Sequence, residues 1–415
     1  MIEIKTSHVI VLGQALVCLI LASMTKYFAL ANLFEISLAL VFCFSAELRA
    51  RFVEVLMDPR IFLTLGFWCW VAIATIWGEA PLLERLGDWW SWRKLLLVPM
   101  CFVLFTSDQS KKFLSLGLIA ILTGYMLTSW LIFWGIFDSS VNAAQLIENH
   151  ATQGVLFSGA AALSYFLFKS ATSLVARIVL AGLIIGFVSN VIWVGTGRSG
   201  YLFLIVVSAY AGYVSVARNR LLVGALIGLL VIGGLSTSST SMGRIQLAVD
   251  RALNAFEPQT TSYSSLGIRI IFWTNTIEMV KRAPLLGTGS GSFKYGYEKI
   301  ISDETGWRGT KTDDPHQQYL HIAAEYGLLG LAVFLLALLA WIKTQISQKN
   351  PYQLTAIAVL LGTAANGLAN GHFSAFVEGR FLWIILAAFL SASPPPCVKT
   401  GCMTLKAMMG KPKTT

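Results

Sequence analysis

The chain has 415 residues, 56% of them hydrophobic and 13% charged, with a mean hydropathy of +0.68. That leaves too little polar surface to cover a soluble globule and points to a membrane protein; the 35 glycines and 11 prolines agree, both being commoner in membrane helices. The net charge of +10 is not gathered into a Lys/Arg block or any nucleic-acid-binding motif, so nucleic acid is not an expected partner.

A membrane-spanning helix takes about 20 mostly apolar residues. Twelve such stretches can be placed, at 8–25, 28–48, 60–77, 94–106, 113–136, 151–169, 175–195, 199–217, 221–236, 317–342, 352–371 and 376–391. The first has no small-residue cleavage site after it and reads as a retained span. With the N-terminus in the cytoplasm, sixteen Lys and Arg residues fall on the inside, whereas the short outside loops hold only Lys26, Arg85, Arg93, Lys94, Arg198 and Arg380. That asymmetry supports an all-α polytopic chain with both ends inside. Its organisation is then helices 1–9 in 1–236, an outer loop domain in 237–316, helices 10–12 in 317–391 and a flexible tail in 392–415. Cys18, Cys43, Cys69 and Cys101 lie in apolar stretches and Cys397 and Cys402 in the tail, so neither disulfides nor a metal cluster is expected.

Before the short fourth span the chain reads P-L-L-E-R-L-G-D-W-W-S-W-R-K, from Pro81 to Lys94. Its tryptophans suit the headgroup layer, and a helix lying on the outer leaflet is the default reading. The alternative is that Arg85, Arg93 or Lys94 holds a lipid phosphate. His150, in a later outer loop, stands alone and reads as structural. Between the seventh and eighth spans, G-T-G-R-S-G-Y-L puts Arg198 at the membrane boundary among glycines that permit close approach of a ligand. Charge there is costly unless paired or wet, which makes Arg198 a functional candidate; an arginine snorkelling to headgroups is the bland alternative.

The loop 237–316 is the only long one. Ser264 or Ser265 can cap a helix running to Arg282 before Pro284, with Arg269 and Trp273 one turn apart on one face. Arg269 is either a surface cation packed over Trp273 or a ligand-holding group. P-L-L-G-T-G-S-G-S-F follows, from Pro284 to Phe293. It lacks the spacing of a dinucleotide fingerprint and reads as a tight exposed turn.

K-T-D-D-P-H-Q-Q-Y-L-H-I-A-A-E-Y-G-L-L-G, Lys311 to Gly330, is where a polar loop meets an apolar helix. Asp314 suits the N-cap, Pro315 the first helical position and Gln317 the return partner of a capping box, which places His316 in the helix's first turn. Gln317, His321 and Glu325, four apart, form a polar stripe, and Glu325 needs a partner if buried. His372, near the end of the eleventh span, has no obvious companion. A histidine at a helix start and two arginines on the outer face suit attack by a sugar hydroxyl on a sugar attached to a diphosphate, with His316 as base and Arg198 and Arg269 neutralising the leaving group.

The order Arg269 to Trp273, P-L-L-G-T-G-S-G-S-F, then H-Q-Q-Y-L with Glu325, Gly327 and Gly330, resembles the bacterial O-antigen ligase and polymerase superfamily. Arg198 to Leu202 is similar to the ligase pattern of Arg, three residues, Leu; His316 and Gln317, nine residues, Gly327, two residues and Gly330 resemble its second pattern. The resemblance implies a GT-C-like fold in the bacterial inner membrane and an active site facing the periplasm. It implies a metal-independent, cofactor-free, inverting transfer of O-antigen from undecaprenyl diphosphate to lipid A core. His316 would be the base and Arg198 and Arg269 the diphosphate binders, with Gln317, Tyr319, Glu325, Arg85, Arg244 and Arg251 as possible supports. An O-antigen polymerase, a protein O-glycosyltransferase using the same donor, and a lipid-linked sugar flippase are the competing readings.

Overall fold

A computed structural model describes residues 6–138, 140–216, 218–237, 267–344 and 350–391. It is all-helical among these residues, and each expected span falls on a helix. In chain order the helices are α1 (Thr6–Ser23), α2 (Phe28–Phe44), α3 (Ala46–Val55), α4 (Pro59–Ala74), α5 (Leu82–Ser91), α6 (Leu97–Leu104), α7 (Asp108–Phe133) and α8 (His150–Ser170). They continue as α9 (Leu174–Ser189), α10 (Arg198–Ser215), α11 (Arg220–Ser236), α12 (Gly267–Arg282), α13 (Phe293–Ile300), α14 (Gln318–Ile342), α15 (Pro351–Asn366) and α16 (Phe376–Leu390).

By length and composition α7, α8, α14 and the run Leu174–Val194 suffice to cross a bilayer, while α1, α4 and α11 are apolar but shorter. The expected second span is interrupted: Ser45 ends α2, caps α3 by accepting from Leu48 N, and α3 departs at 99°. The expected fourth holds only eight α-helical residues, a rise of about 12 Å, entered from a 3-10 helix at Trp92–Leu96, and every residue of α6 from Leu97 to Leu104 except Met100 is buried in protein. Local chemistry explains other ends. Asp58 caps α4 ahead of Pro59, Asn149 caps α8 through Ala151 N and Thr152 N, and Asn350 caps α15 ahead of Pro351.

Exposed leucine, isoleucine and valine side chains line α9 and α11, among them Ile178, Ile185, Leu222 and Leu229. In lipid such faces cost nothing, whereas in water they would aggregate. The centre is instead filled by α8, α15 and α16; from Val377 to Leu390 every side chain of α16 is buried. With no hydrophobic force between helices inside a bilayer, close packing has to come from small residues. Gly154 on α8 and Gly200 on α10 provide it, because a Cβ on either would stand 2.7 Å from the other's Cα. The ends of α8, α10 and α15 are thereby brought together.

Buried charge fastens the same end of the bundle. Arg380 on α16 is fully buried and pairs through Nε with Glu35 of α2, while its other guanidinium nitrogens donate to Asn32 Oδ1 at 3.1 Å and Phe376 O at 2.9 Å. Arg93 reaches Glu35 at 3.4 Å and Asn32 Oδ1 at 2.6 Å. Lys94 is also buried, its ammonium donating to the carbonyls of Ser374 and Ala375. These groups therefore pin helices to one another rather than facing headgroups, which corrects the phosphate-holding alternative for Arg93 and Lys94. Arg380 likewise belongs to the protein interior and not to a loop.

Candidate active site at converging helix ends

α14 is broken one-third of the way along. Gly327 has φ 71° and ψ 177° inside it, so the carbonyls and N–H groups on either side of the break lack helical partners. The glycine loop 284–292 fills the gap. Thr288 N donates to Ala324 O and Gly289 N to Glu325 O, both at 2.8 Å, and on the other side of the break Leu328 N donates to Pro284 O at 2.8 Å. Trp70 Nε1 takes the freed Tyr326 carbonyl at 2.9 Å. The loop was expected as an exposed turn; Gly287, Gly289, Ser290 and Ser292 are buried because its backbone completes a broken helix. Positive φ at Gly287, Gly289 and Gly291 makes that path possible.

One carboxylate organises the loop's other side. Asp88 Oδ2 accepts from Ser290 Oγ at 2.6 Å, Gly291 N at 3.1 Å and Tyr326 OH at 2.8 Å, and Trp92 Nε1 donates to that same phenol oxygen at 3.0 Å. Burial, and then the nearby Glu325 carboxylate, push the Asp88 carboxyl up to about 6 against the pull of these donors. Sequence reasoning missed Asp88 and Tyr326; the amphipathic run around Asp88 marked only an interfacial helix. Arg85 also lies here, donating from Nη1 to Thr75 O at 2.7 Å at the end of α4.

At the start of α14 the backbone differs from the expected cap. Gln317, and not Asp314, is the N-cap: its φ is −152°, and its side-chain oxygen accepts from Leu320 N at 2.5 Å. Asp314 Oδ1 instead accepts from His316 N at 2.7 Å, a local turn two residues long, and His316 takes a left-handed φ of 55°. His316 therefore precedes the helix rather than sitting in its first turn. Gln318 N donates to Gly367 O at 2.8 Å, which ties the helix start to the end of α15.

α12 docks on this turn from outside. Trp273 Nε1 donates to Pro315 O at 2.9 Å, and Arg269, one turn earlier, donates from Nη1 to Ala369 O at 3.0 Å just past α15. Arg269 thus turns to the α15 end. Burial, then the neighbouring Arg198 guanidinium, hold its pKa below the usual arginine range, and Asp314 opposes them. Arg198 opens α10, where Ser199 O accepts from Asn366 Nδ2 of α15 at 3.0 Å. Arg198, Arg269, Asp314 and His316 accordingly share one electrostatic neighbourhood where α10, α12, α14 and α15 end. Two like-charged guanidiniums held together by the fold, one of them half-buried, form a place suited to a polyanion.

The remaining candidates are placed as follows. Tyr319 OH donates to Ala364 O at 2.7 Å, bracing α14 on α15. Glu325 is buried, and its Oε1 accepts from Phe293 N at 2.9 Å. Arg244 and Arg251, the cap at Ser264 or Ser265, and Cys397 and Cys402 lie outside the described residues. His150 and His372 both have companions, contrary to expectation. His150 Nδ1 is 3.2 Å from Gln145 Nε2, and His372 Nδ1 is 3.2 Å from Glu378 Oε1, which also accepts from Thr152 Oγ1 at 2.7 Å.

Comparison with known proteins gives matches over part of the chain. Residues 189–335 match the family described as O-antigen ligase. This segment is similar to that family over about a third of the chain. The matched segment contains Arg198, Arg269, Asp314, His316, Glu325 and the Gly327 break, and leaves out Asp88, Lys94 and His372. The chain is also similar to an uncharacterized protein of Haemophilus influenzae, with 28% identity over 153 residues, or 35% of this chain and 37% of that protein. The match thus spans little more than a third of either chain.

Proposed function

We propose that the chain is an O-antigen ligase of the bacterial inner membrane, with twelve spans, both termini in the cytoplasm and a GT-C-like arrangement around a periplasmic site. The ligase family match supports a glycosyltransferase-like role. The observation that carries the reading is the convergence of Arg198 and Arg269 with the Asp314 and His316 turn at one set of helix ends. On this reading the donor is O-antigen on undecaprenyl diphosphate and the acceptor is a sugar hydroxyl of lipid A core.

His316, its ring half-exposed and its Nδ1 3.9 Å from Asp314 Oδ2, takes the acceptor's proton on the nitrogen turned away from Asp314. The acceptor oxygen bonds to the anomeric carbon as the bond from that carbon to the phosphate oxygen breaks. The electron pair leaves on the diphosphate, where Arg198 and Arg269 balance the charge. One displacement inverts the anomeric centre; retention would need a nucleophilic carboxylate and a second step.

The test is transfer in proteoliposomes containing the lipid-diphosphate glycan and lipid A core, with and without EDTA, for the parent and His316→Ala. Glycan on lipid A core, formed despite chelator and lost in a folded variant, supports the reading. Donor-chain lengthening alone would make the chain a polymerase, and movement of donor across the bilayer with no new glycosidic bond would make it a flippase.

A further inference from the structure

We infer that His321 is a positioning residue of the same site: it braces the Asp314 carboxylate from behind, so that Asp314 can hold His316. The inference rests on the ligase reading for its catalytic consequence but not for its geometry. Asp314 stands between two imidazoles, with Oδ2 3.9 Å from His316 Nδ1 and Oδ1 3.7 Å from His321 Nδ1. The other ring nitrogen of His321 faces a second carboxylate, Nε2 lying 3.6 Å from Glu325 Oε2.

Glu325 cannot swing away, because it is buried with Oε1 bound to Phe293 N at 2.9 Å. The Phe293 ring packs on the His321 ring with centroids 4.8 Å apart, which fixes the imidazole's tilt. Both ring nitrogens thus lie within ion-pair range of a carboxylate, an arrangement that suits the doubly protonated ring, which has an N–H for each. His321 in that form separates Asp314 from Glu325, whose charges would otherwise repel across the gap. It connects the turn bearing His316 to the glycine loop and the Gly327 break.

The charged groups around this row are Asp314 from the turn, Glu325 on the same helix, Asp88 from α5 and Arg269 from α12. Removing the His321 cation leaves Asp314 with one fewer positive neighbour and a stronger hold on a proton at His316. The titration midpoint of His316 in His321→Ala therefore moves up, and in His321→Lys, which restores a cation, it moves back toward the parent.

Histidine-labelled protein in detergent, with ring resonances assigned by the single variants, reads that midpoint whether or not any glycan is transferred. An upward shift in His321→Ala with return in His321→Lys is the expected result. An identical His316 midpoint in parent and His321→Ala overturns the inference. In the proteoliposome assay the acid limb of kcat follows the same shift, with kcat down about tenfold or more and the donor KM within about twofold. A parent that titrates as expected but makes no product on lipid A core overturns the ligase reading alone. If His321→Ala does not fold, His321→Gln, of similar length and without charge, takes its place in both measurements.

Discussion

Gly327→Ala tests the idea that the glycine loop completes a broken helix and thereby sets the site. At φ 71° and ψ 177° the backbone is in a region that side chains rarely enter, at a cost of about 1–3 kcal/mol. The space is also taken: an added Cβ would lie 2.0 Å from Leu285 O and 2.3 Å from Leu285 C, backbone atoms of the loop itself. Clearing them breaks the bonds from Thr288 N, Gly289 N, Leu328 N and Leu329 N across the break, each worth about 1 kcal/mol net. The sum is about 5–7 kcal/mol, comparable to the whole stability of many folded domains.

Two other glycines separate these terms. Gly306 also has positive φ, 64°, but nothing within 4 Å, so Gly306→Ala bears only the strain, about 1–2 kcal/mol. Gly66 lies within α4 with nothing within 4 Å, and Gly66→Ala is neutral or stabilising by up to about 1 kcal/mol. Thermal unfolding in detergent, followed by tryptophan fluorescence, ranks Gly327→Ala far below Gly306→Ala, with Gly66→Ala at or above the parent. Melting of Gly327→Ala within a degree or two of the parent would refute the inserted-loop argument. Equal losses at Gly327 and Gly306 would show that strain alone, and not the loop's displacement, sets the cost.

Asp88 carries a pH signature. Its carboxyl stays protonated to about pH 6 in the folded protein, against about 3.9 when unfolded, so the native state holds the extra proton between these values. Stability falls as pH rises through that window, and Asp88→Asn flattens this part of the melting curve. Trp273→Phe removes the donor to Pro315 O; it costs about 1 kcal/mol of stability and lowers transfer more than melting, because the turn it loosens carries His316. Arg380→Met takes one of two arginines from the Glu35 carboxylate and leaves it with Arg93, which costs at most about 3–5 kcal/mol. Adding Glu35→Gln recovers part of that loss in the same melting experiment.

The sequence was most legible where the solvent does the sorting. Apolar runs mark helices because lipid leaves backbone no other way to satisfy itself, and charge at Arg198 beside such runs is costly enough to mark it as a candidate. It was least legible where tertiary contacts override a good local pattern. Asp314 followed by Pro315 satisfies the rules for a helix start, yet the cap is Gln317, read as only its return partner; the hydrogen bond from Gln318 N to Gly367 O favours the later start, and no local pattern contains it. The consequence for His316 is a left-handed turn, with its ring orientation set by Asp314 and α12 rather than by helical geometry. The same limit hides the wiring behind the site. Asp88 and Tyr326 are 238 residues apart, and Lys94 and Ser374 are 280 apart. A polar group buried in a membrane bundle needs a partner, but one sequence says only that the partner exists, not which segment brings it. The histidine row is the intermediate case. Its spacing of four from His321 to Glu325 is visible on one helix face, whereas Asp314 joins it only because the chain turns left-handed at His316. A feature first read as a simple polar stripe becomes a brace for the site through that single backbone residue.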